Sequence, residues 1–116
     1  MEFHFDEIDE DLIVIIADGG LNSSTAEEFV SSIGKLVDAG LRKIIVDCSG
    51  LDYISSYGLG ILIRLHRRMS EHGGNVKLSN VRGMLPEILQ LTRLNRHLGI
   101  FPSVDAARLS FRPADA

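Results

Sequence analysis

Residues 44–69 read IIVDCSGLDYISSYGLGILIRLHRRM. A β-branched run, Ile44 to Val46, ends at Asp47; a short polar turn follows, and Ser55 and Ser56 then precede apolar residues at helical spacing, Leu59, Leu62, Ile63, Leu65 and Met69. The first part suits a strand buried on both faces, which carries a continuous apolar run instead of an alternation. The second suits an amphipathic helix with Arg64, Arg67 and Arg68 towards solvent. Strand, turn and helix in that order put two hydroxyls at the mouth of a helix.

Upstream, Glu2 to Asp6 alternates and Leu12 to Ala17 is a second β-branched run, with the acidic segment Glu7 to Asp11 between them. This reads as a β-hairpin whose first strand is an edge. Asp18-Gly19-Gly20 breaks the second strand. Ser24 with Glu27, or Thr25 with Glu28, has capping-box spacing, and Ala26, Phe29, Val30, Ile33, Leu36 and Val37 then form an apolar stripe that Gly40 closes. Downstream, Gly73-Gly74 stops the second helix and Asn75 to Ser79 reads as a strand. Leu85, Ile88, Leu89 and Thr92 mark a third helix, with Pro86 tolerated in its first turn. Arg96 to Phe101 reads as a short strand, and Ser103 caps a last helix through Ala106, Ala107 and Leu109.

Strands therefore alternate with helices after an opening hairpin. That order implies βαβ crossovers and an α/β fold: a mixed, mostly parallel sheet with the N-terminal hairpin at its edge and helices packed on one side. Residues 1–110 form one domain, and residues 111–116, polar and containing Pro113, are expected to fray.

The chain has 116 residues, enough for one core without disulfides or metals. A net charge of −4 argues against a nucleic-acid surface, which needs clustered Lys and Arg. The one basic cluster, Arg64 to Arg68, reads as the solvated face of a helix. Cys48, the single cysteine, follows a buried-looking strand and reads as a small core thiol. His4, His66, His72 and His97 include no i, i+4 pair, so no metal site is expected, and no cofactor motif is present. No apolar run approaches a membrane span, and the N-terminus is acidic, so a cytoplasmic protein is expected.

The plainest role for Ser55 or Ser56 is to cap the helix. Gly58 and Gly60 complicate it, because each costs about 1 kcal/mol relative to Ala inside a helix, so something, a neighbouring strand or a partner, needs to come close to this backbone. Tyr57 beside them either packs inward or offers a large contact surface to a partner. An enzyme reading fails on spacing. A nucleophile elbow needs a small residue two before the serine, where Ser56 has Ile54; Gly58 and Gly60 lack the third glycine of a dinucleotide loop; no P-loop exists. No catalytic residue is assigned, and Asp47 and Asp52 are read as making turn hydrogen bonds.

At these residues the chain resembles the STAS domains of bacterial anti-sigma factor antagonists. The likeness runs through Gly20-Leu21-Asn22 with Ser24 to Glu27, Ile44 to Leu51 with Tyr53 to Gly60, and Leu91 to Leu94 with Ile100 to Ser103. It implies a small mixed sheet with helices on one side, and a non-enzymatic interaction switch in signalling and transcription regulation. The antagonist would bind a serine-kinase anti-sigma factor of the histidine-kinase-like ATPase type and lose it when a serine at the start of the second helix is phosphorylated; a serine phosphatase would reverse this. By position in the motif the acceptor is Ser56, with Ser55 as the alternative. The implied partner surface combines Asn22, Ser23, Ser24 and Thr25 with Tyr53, Ser55, Ser56, Tyr57, Gly58 and Gly60. Two positions depart from the family pattern: Ser55 replaces its acidic residue, and Asn22 stands where many members carry Asp. STAS modules without a phosphoswitch, in lipid-transport or stress-signalling assemblies, are the alternative.

Overall fold

A computed structural model of the chain describes the backbone of residues 2–9, 12–18, 23–51, 54 and 56–111 and the side chains of 12–16, 27–28, 30–51, 54 and 58–111. The elements are β1 (Glu2–Asp9), β2 (Leu12–Asp18), α1 (Ser23–Asp38), β3 (Lys43–Gly50), α2 (Ser56–Glu71), β4 (Asn75–Ser79), α3 (Leu85–Leu91), β5 (Gly99–Phe101) and α4 (Val104–Ser110). The five strands form one sheet in sequence order, β1 antiparallel to β2 and the rest parallel. This is the mixed, mostly parallel sheet with an edge hairpin that the element order predicts. The hairpin is longer than expected: pairing continues through a register shift to Asp9 opposite Leu12.

The sheet splits its side chains between two cores by the period-2 rule of strands. Ile13 and Ile15 of β2, Ile44 and Val46 of β3, and Val76 and Leu78 of β4 share one face, in register and buried. Ile33 and Val37 of α1, Leu62, Leu65 and Met69 of α2, and Leu85 and Leu89 of α3 cover it. Leu12, Val14 and Ile45 point the other way. Strands added in one direction by crossovers of one hand put every crossover helix on the same face. The expectation of helices on one side therefore holds for α1, α2 and α3. It does not hold for α4, which follows the last strand and is not a crossover: Ala107 of α4 is buried against Leu12, Val14 and Ile45 on the opposite face. Phe111, assigned by sequence to the frayed end, caps α4 and packs half-buried against this second core. Residues 112–116 lie outside the described residues.

Local signals account for the element ends. Gly40, at φ 113°, follows α1 in the left-handed conformation; Leu41 N–H donates to the Leu36 carbonyl at 2.9 Å and Gly40 N–H to Val37 at 3.1 Å, the paired bonds of a Schellman stop. The stop after α2 has the same form, and there Gly74 lies so close to the Arg42 carbonyl that a Cβ would collide with it. Ser103 Oγ accepts the Ala106 N–H at 3.1 Å, the expected cap of α4. The expected strand from Arg96 begins only at Gly99. A short 3₁₀ turn, Leu94–Arg96, stands there instead; Leu98 N–H donates to the Leu94 carbonyl at 2.8 Å and both side chains are buried, a four-residue spacing that suits helical and not alternating backbone.

The end of the sheet where α1 and α2 begin

In a parallel sheet each helix starts at the carboxyl end of the strand before it, and ligands and partners of open α/β sheets gather along that edge. Because β2 and β3 are neighbours, the starts of α1 and α2 lie side by side on it. This topology brings together the two segments singled out in the sequence. Ser23, Ser24 and Thr25 form the first turn of α1; Ser56, Tyr57, Gly58 and Gly60 open α2. Asn22, Tyr53 and Ser55 lie outside the described residues. α1 already includes Ser23, so Ser24 and Thr25 lie within its first turn and not at a capping position. α2 begins at Ser56 itself.

The loop into α2 is held from below. Leu51 and Ile54 are buried, and Leu51 N–H donates to the Cys48 carbonyl at 2.9 Å, closing a turn directly after the core strand. Asp47 uses one carboxylate oxygen to accept the Ser49 N–H at 3.1 Å and the Asn80 side-chain amide at 3.1 Å. Arg82 Nε–H donates to the Ser49 carbonyl. The loop before α2 is thus tied to the loop before α3. Asp47 makes the turn hydrogen bond expected of it. Asn80 and Arg82 were not singled out in the sequence, since each is an ordinary polar loop residue with no local motif; the one available signal was topological, because a parallel β3–β4 pair sets the two loops side by side.

Gly58 is buried and Gly60 half-buried at the opening of α2, and a Cβ added to Gly60 would meet nothing within 4 Å among the described residues beyond its chain neighbours and its own helix backbone. Among the described residues no strand comes close at Gly60. The first turn of α2 carries no acidic side chain, so the positive end of the helix dipole is not offset from within that turn. Further along α2, Arg64, Arg67 and Arg68 are exposed, as a solvated face requires, and Arg68 pairs with Asp38 of α1 at 3.0 Å. Beneath the site, burial and then the Asp47 charge push the Cys48 thiol up to about 12, which marks a core thiol and not a nucleophile. Among the described residues no group of three or more His, Cys, Asp or Glu could hold a metal ion, and no helix is long and apolar enough to cross a membrane.

The STAS domain family matches residues 6–107. A Bordetella bronchiseptica protein named as the anti-sigma factor antagonist BtrV is 31% identical over 117 residues, covering 98% of this chain and 97% of that protein. Among solved structures, an anti-sigma factor antagonist of Thermotoga maritima superposes with TM-score 0.88 at 24% identity, covering 96% of this chain and 95% of the other. The Bacillus cell fate determinant SpoIIAA in its phosphorylated form superposes with TM-score 0.78 at 20% identity, covering 96% of this chain and all of that one (100%). With the family matched over nearly its whole length, and a relative of near-equal length at 31% identity, this chain belongs to the STAS domain family.

Proposed function

We propose that this chain is a cytoplasmic, non-enzymatic anti-sigma factor antagonist. The surface formed by the starts of α1 and α2 binds a serine-kinase anti-sigma factor of the histidine-kinase-like ATPase type. Phosphorylation of Ser56 ends the binding, and a serine phosphatase restores it. The observation that carries this reading is the start of α2 at Ser56, on the same sheet edge as the start of α1 and without an acidic group in its first turn.

A phosphoserine adds about −1.5 to −2 charges and three acceptor oxygens. At a helix start the unpaired backbone N–H groups and the dipole favour such an anion, so the free domain tolerates it. A partner packed over the same residue meets a charge that must be desolvated against it, at a cost of several kcal/mol. About 3 kcal/mol lowers affinity roughly a hundredfold, enough to switch the complex off.

The test is phosphorylation by the cognate kinase with ATP, followed by mass spectrometry, together with pull-downs of wild type, Ser56→Ala and Ser56→Asp. Phosphate is expected on Ser56, with Ser55 as the alternative acceptor. Ser56→Ala keeps the partner and Ser56→Asp loses it about a hundredfold with its circular dichroism unchanged. Phosphate on neither serine sinks the proposal. Ser55, standing where the family keeps an acid, favours one second reading: a STAS interaction module without a phosphoswitch, in a lipid-transport or stress-signalling assembly. There Ser56→Asp would bind its partner as wild type does.

A further inference from the structure

A second concave site lies away from the starts of α1 and α2. His66 is ten residues into α2 from Ser56, about 15 Å along the helix axis. There a cavity of about 400 Å³ opens between α2 and the segment joining α3 to β5. Ile63, Leu94 and Leu98 supply apolar wall. His66, His97 and Arg67 supply nitrogen donors, and Ser70 adds a hydroxyl. Among the described residues no acidic one lines it.

The two imidazoles face each other with ring centroids 6.0 Å apart and planes inclined at 49°. His66 Nδ1 is buried and has no hydrogen-bond partner. A proton there would be a buried donor left unpaired, which is costlier than a bare lone pair, so the surroundings favour the tautomer of the neutral ring with its proton on Nε2. His66 thus enters the cavity as a donor, in the same sense as Arg67. Burial, and then His97, hold the His66 pKa below its ordinary value. Two histidines and Arg67, which also borders the neighbouring hollow with Glu71, line this cavity, and no acidic residue is among its described lining residues, a set that favours an anion. The apolar wall asks for a hydrocarbon body attached to that anion, and the volume, near the small end for ligand pockets, limits its size.

We propose that this cavity binds a small amphipathic monocarboxylate, its carboxylate accepting from His66, His97 and Arg67 and its apolar body lying on Ile63, Leu94 and Leu98. The inference does not depend on the Ser56 switch, and its test uses the free, unphosphorylated full chain. Histidine ring signals are followed by NMR while benzoate, hexanoate, benzamide, inorganic phosphate and Zn²⁺ are titrated separately. Benzoate and hexanoate are expected to shift the signals of both His66 and His97 saturably, and benzamide to bind at least about tenfold more weakly, because it lacks the charge that strengthens those hydrogen bonds. Arg67→Gln and His97→Gln, both at exposed positions, are expected to weaken benzoate about tenfold each with unchanged circular dichroism. Equal binding of benzoate and benzamide would reduce the site to an apolar hollow. A response to phosphate but not to the carboxylates would make it a bare anion site, and a response to Zn²⁺ alone a metal-binding histidine pair. Any of these, or no response to either carboxylate at millimolar concentration, overturns the proposal.

Discussion

The Asp47 carboxylate at the end of β3 accepts a hydrogen bond from the side-chain amide of Asn80, 33 residues later in the chain, at 3.1 Å. Asn80 sits at φ 55°, a left-handed conformation that Asn tolerates better than most residues, and its N–H donates to the Phe101 carbonyl at 3.2 Å. One residue after β4 thereby ties together the ends of β3, β4 and β5. With the Arg82 bond to Ser49, it fixes the base of the loop that leads to Ser56.

Substitution at Asn80 separates the hydrogen bond from the backbone requirement. Asn80→Gly keeps the positive φ and loses the bond, and is expected to cost about 1–2 kcal/mol, since a carboxylate acceptor makes the bond stronger than a neutral one. Asn80→Ala is expected to cost about 1 kcal/mol more than Asn80→Gly, because Ala keeps a Cβ in the left-handed region without the side-chain amide that lets Asn tolerate it. Urea unfolding measures both. A double-mutant cycle with Asp47→Ala should give a coupling of about 1 kcal/mol; a coupling of zero would show that the contact contributes nothing.

Cys48 is expected to be inert in the folded protein. Its side chain is buried, its Sγ lies 3.5 Å from the Val46 carbonyl, and burial with the Asp47 charge raises its pKa to about 12, so almost no thiolate exists at pH 8. Iodoacetamide should label it only as urea unfolds the chain, with the labelling midpoint tracking the circular-dichroism midpoint. Fast labelling of the native protein would contradict its burial. Because the folded pKa is raised, the thiol's contribution to stability is present below its ordinary value of 9.0 and lost as pH rises towards 12.

The sequence disclosed the parts of this fold that have local punctuation. The continuous apolar run Ile44–Val46 identified a strand buried on both faces, Gly40 and Gly73-Gly74 identified helix stops, and Ser103 identified a cap. The face taken by α4 was not legible, because an apolar stripe at Val104, Ala107 and Phe111 fits either side of a sheet equally well; the free choice of a terminal helix decides it. Residues 96–98 misled because a lone apolar Leu98 between polar residues imitates a strand, and only its partnership with Leu94 reveals the turn. At the candidate site the position of the serines came from strand, turn and helix order. The clamp of Asn80 and Arg82 did not, since its partners are distant in sequence.

The His66 ring ties stability to pH. Burial and the neighbouring His97 depress its pKa, so the unfolded chain takes up a proton at a higher pH than the folded one. The contribution of neutral His66 is present above the ordinary value of 6.5 and is lost as pH falls below it towards the depressed folded value. Wild type should therefore lose more thermal stability between pH 7.5 and pH 5.5, about one unit either side of the ordinary histidine pKa, than His66→Gln does. Equal losses in the two proteins would place the pH dependence elsewhere.

The two faces of the sheet should be separable by mutation. Lys77 on the α4 face places its ammonium 4.0 Å from the Phe111 ring centroid and 5.3 Å from that of Phe101, and donates to Ser110 Oγ at 2.6 Å. Phe111→Ala removes the nearer ring and part of the cover over Leu12, Val14 and Ile45, an expected cost of about 1–3 kcal/mol. Ala107 of α4 is fully buried against the sheet, and Ala107→Leu forces extra methylenes into that contact, again at about 1–3 kcal/mol. Ser56 begins α2, a helix of the opposite face, and the hydrogen bonds at the base of its loop among the described residues come from Asp47, Asn80 and Arg82, none of them on α4. Both variants should therefore unfold at lower urea concentration; if Ser56 is the acceptor as proposed, a kinase that phosphorylates the wild type should phosphorylate both at the wild-type rate under conditions where each is fully folded. A loss of phosphorylation parallel to the loss of stability would show that α4 supports the switch through the sheet, and would overturn the division of labour between the two faces.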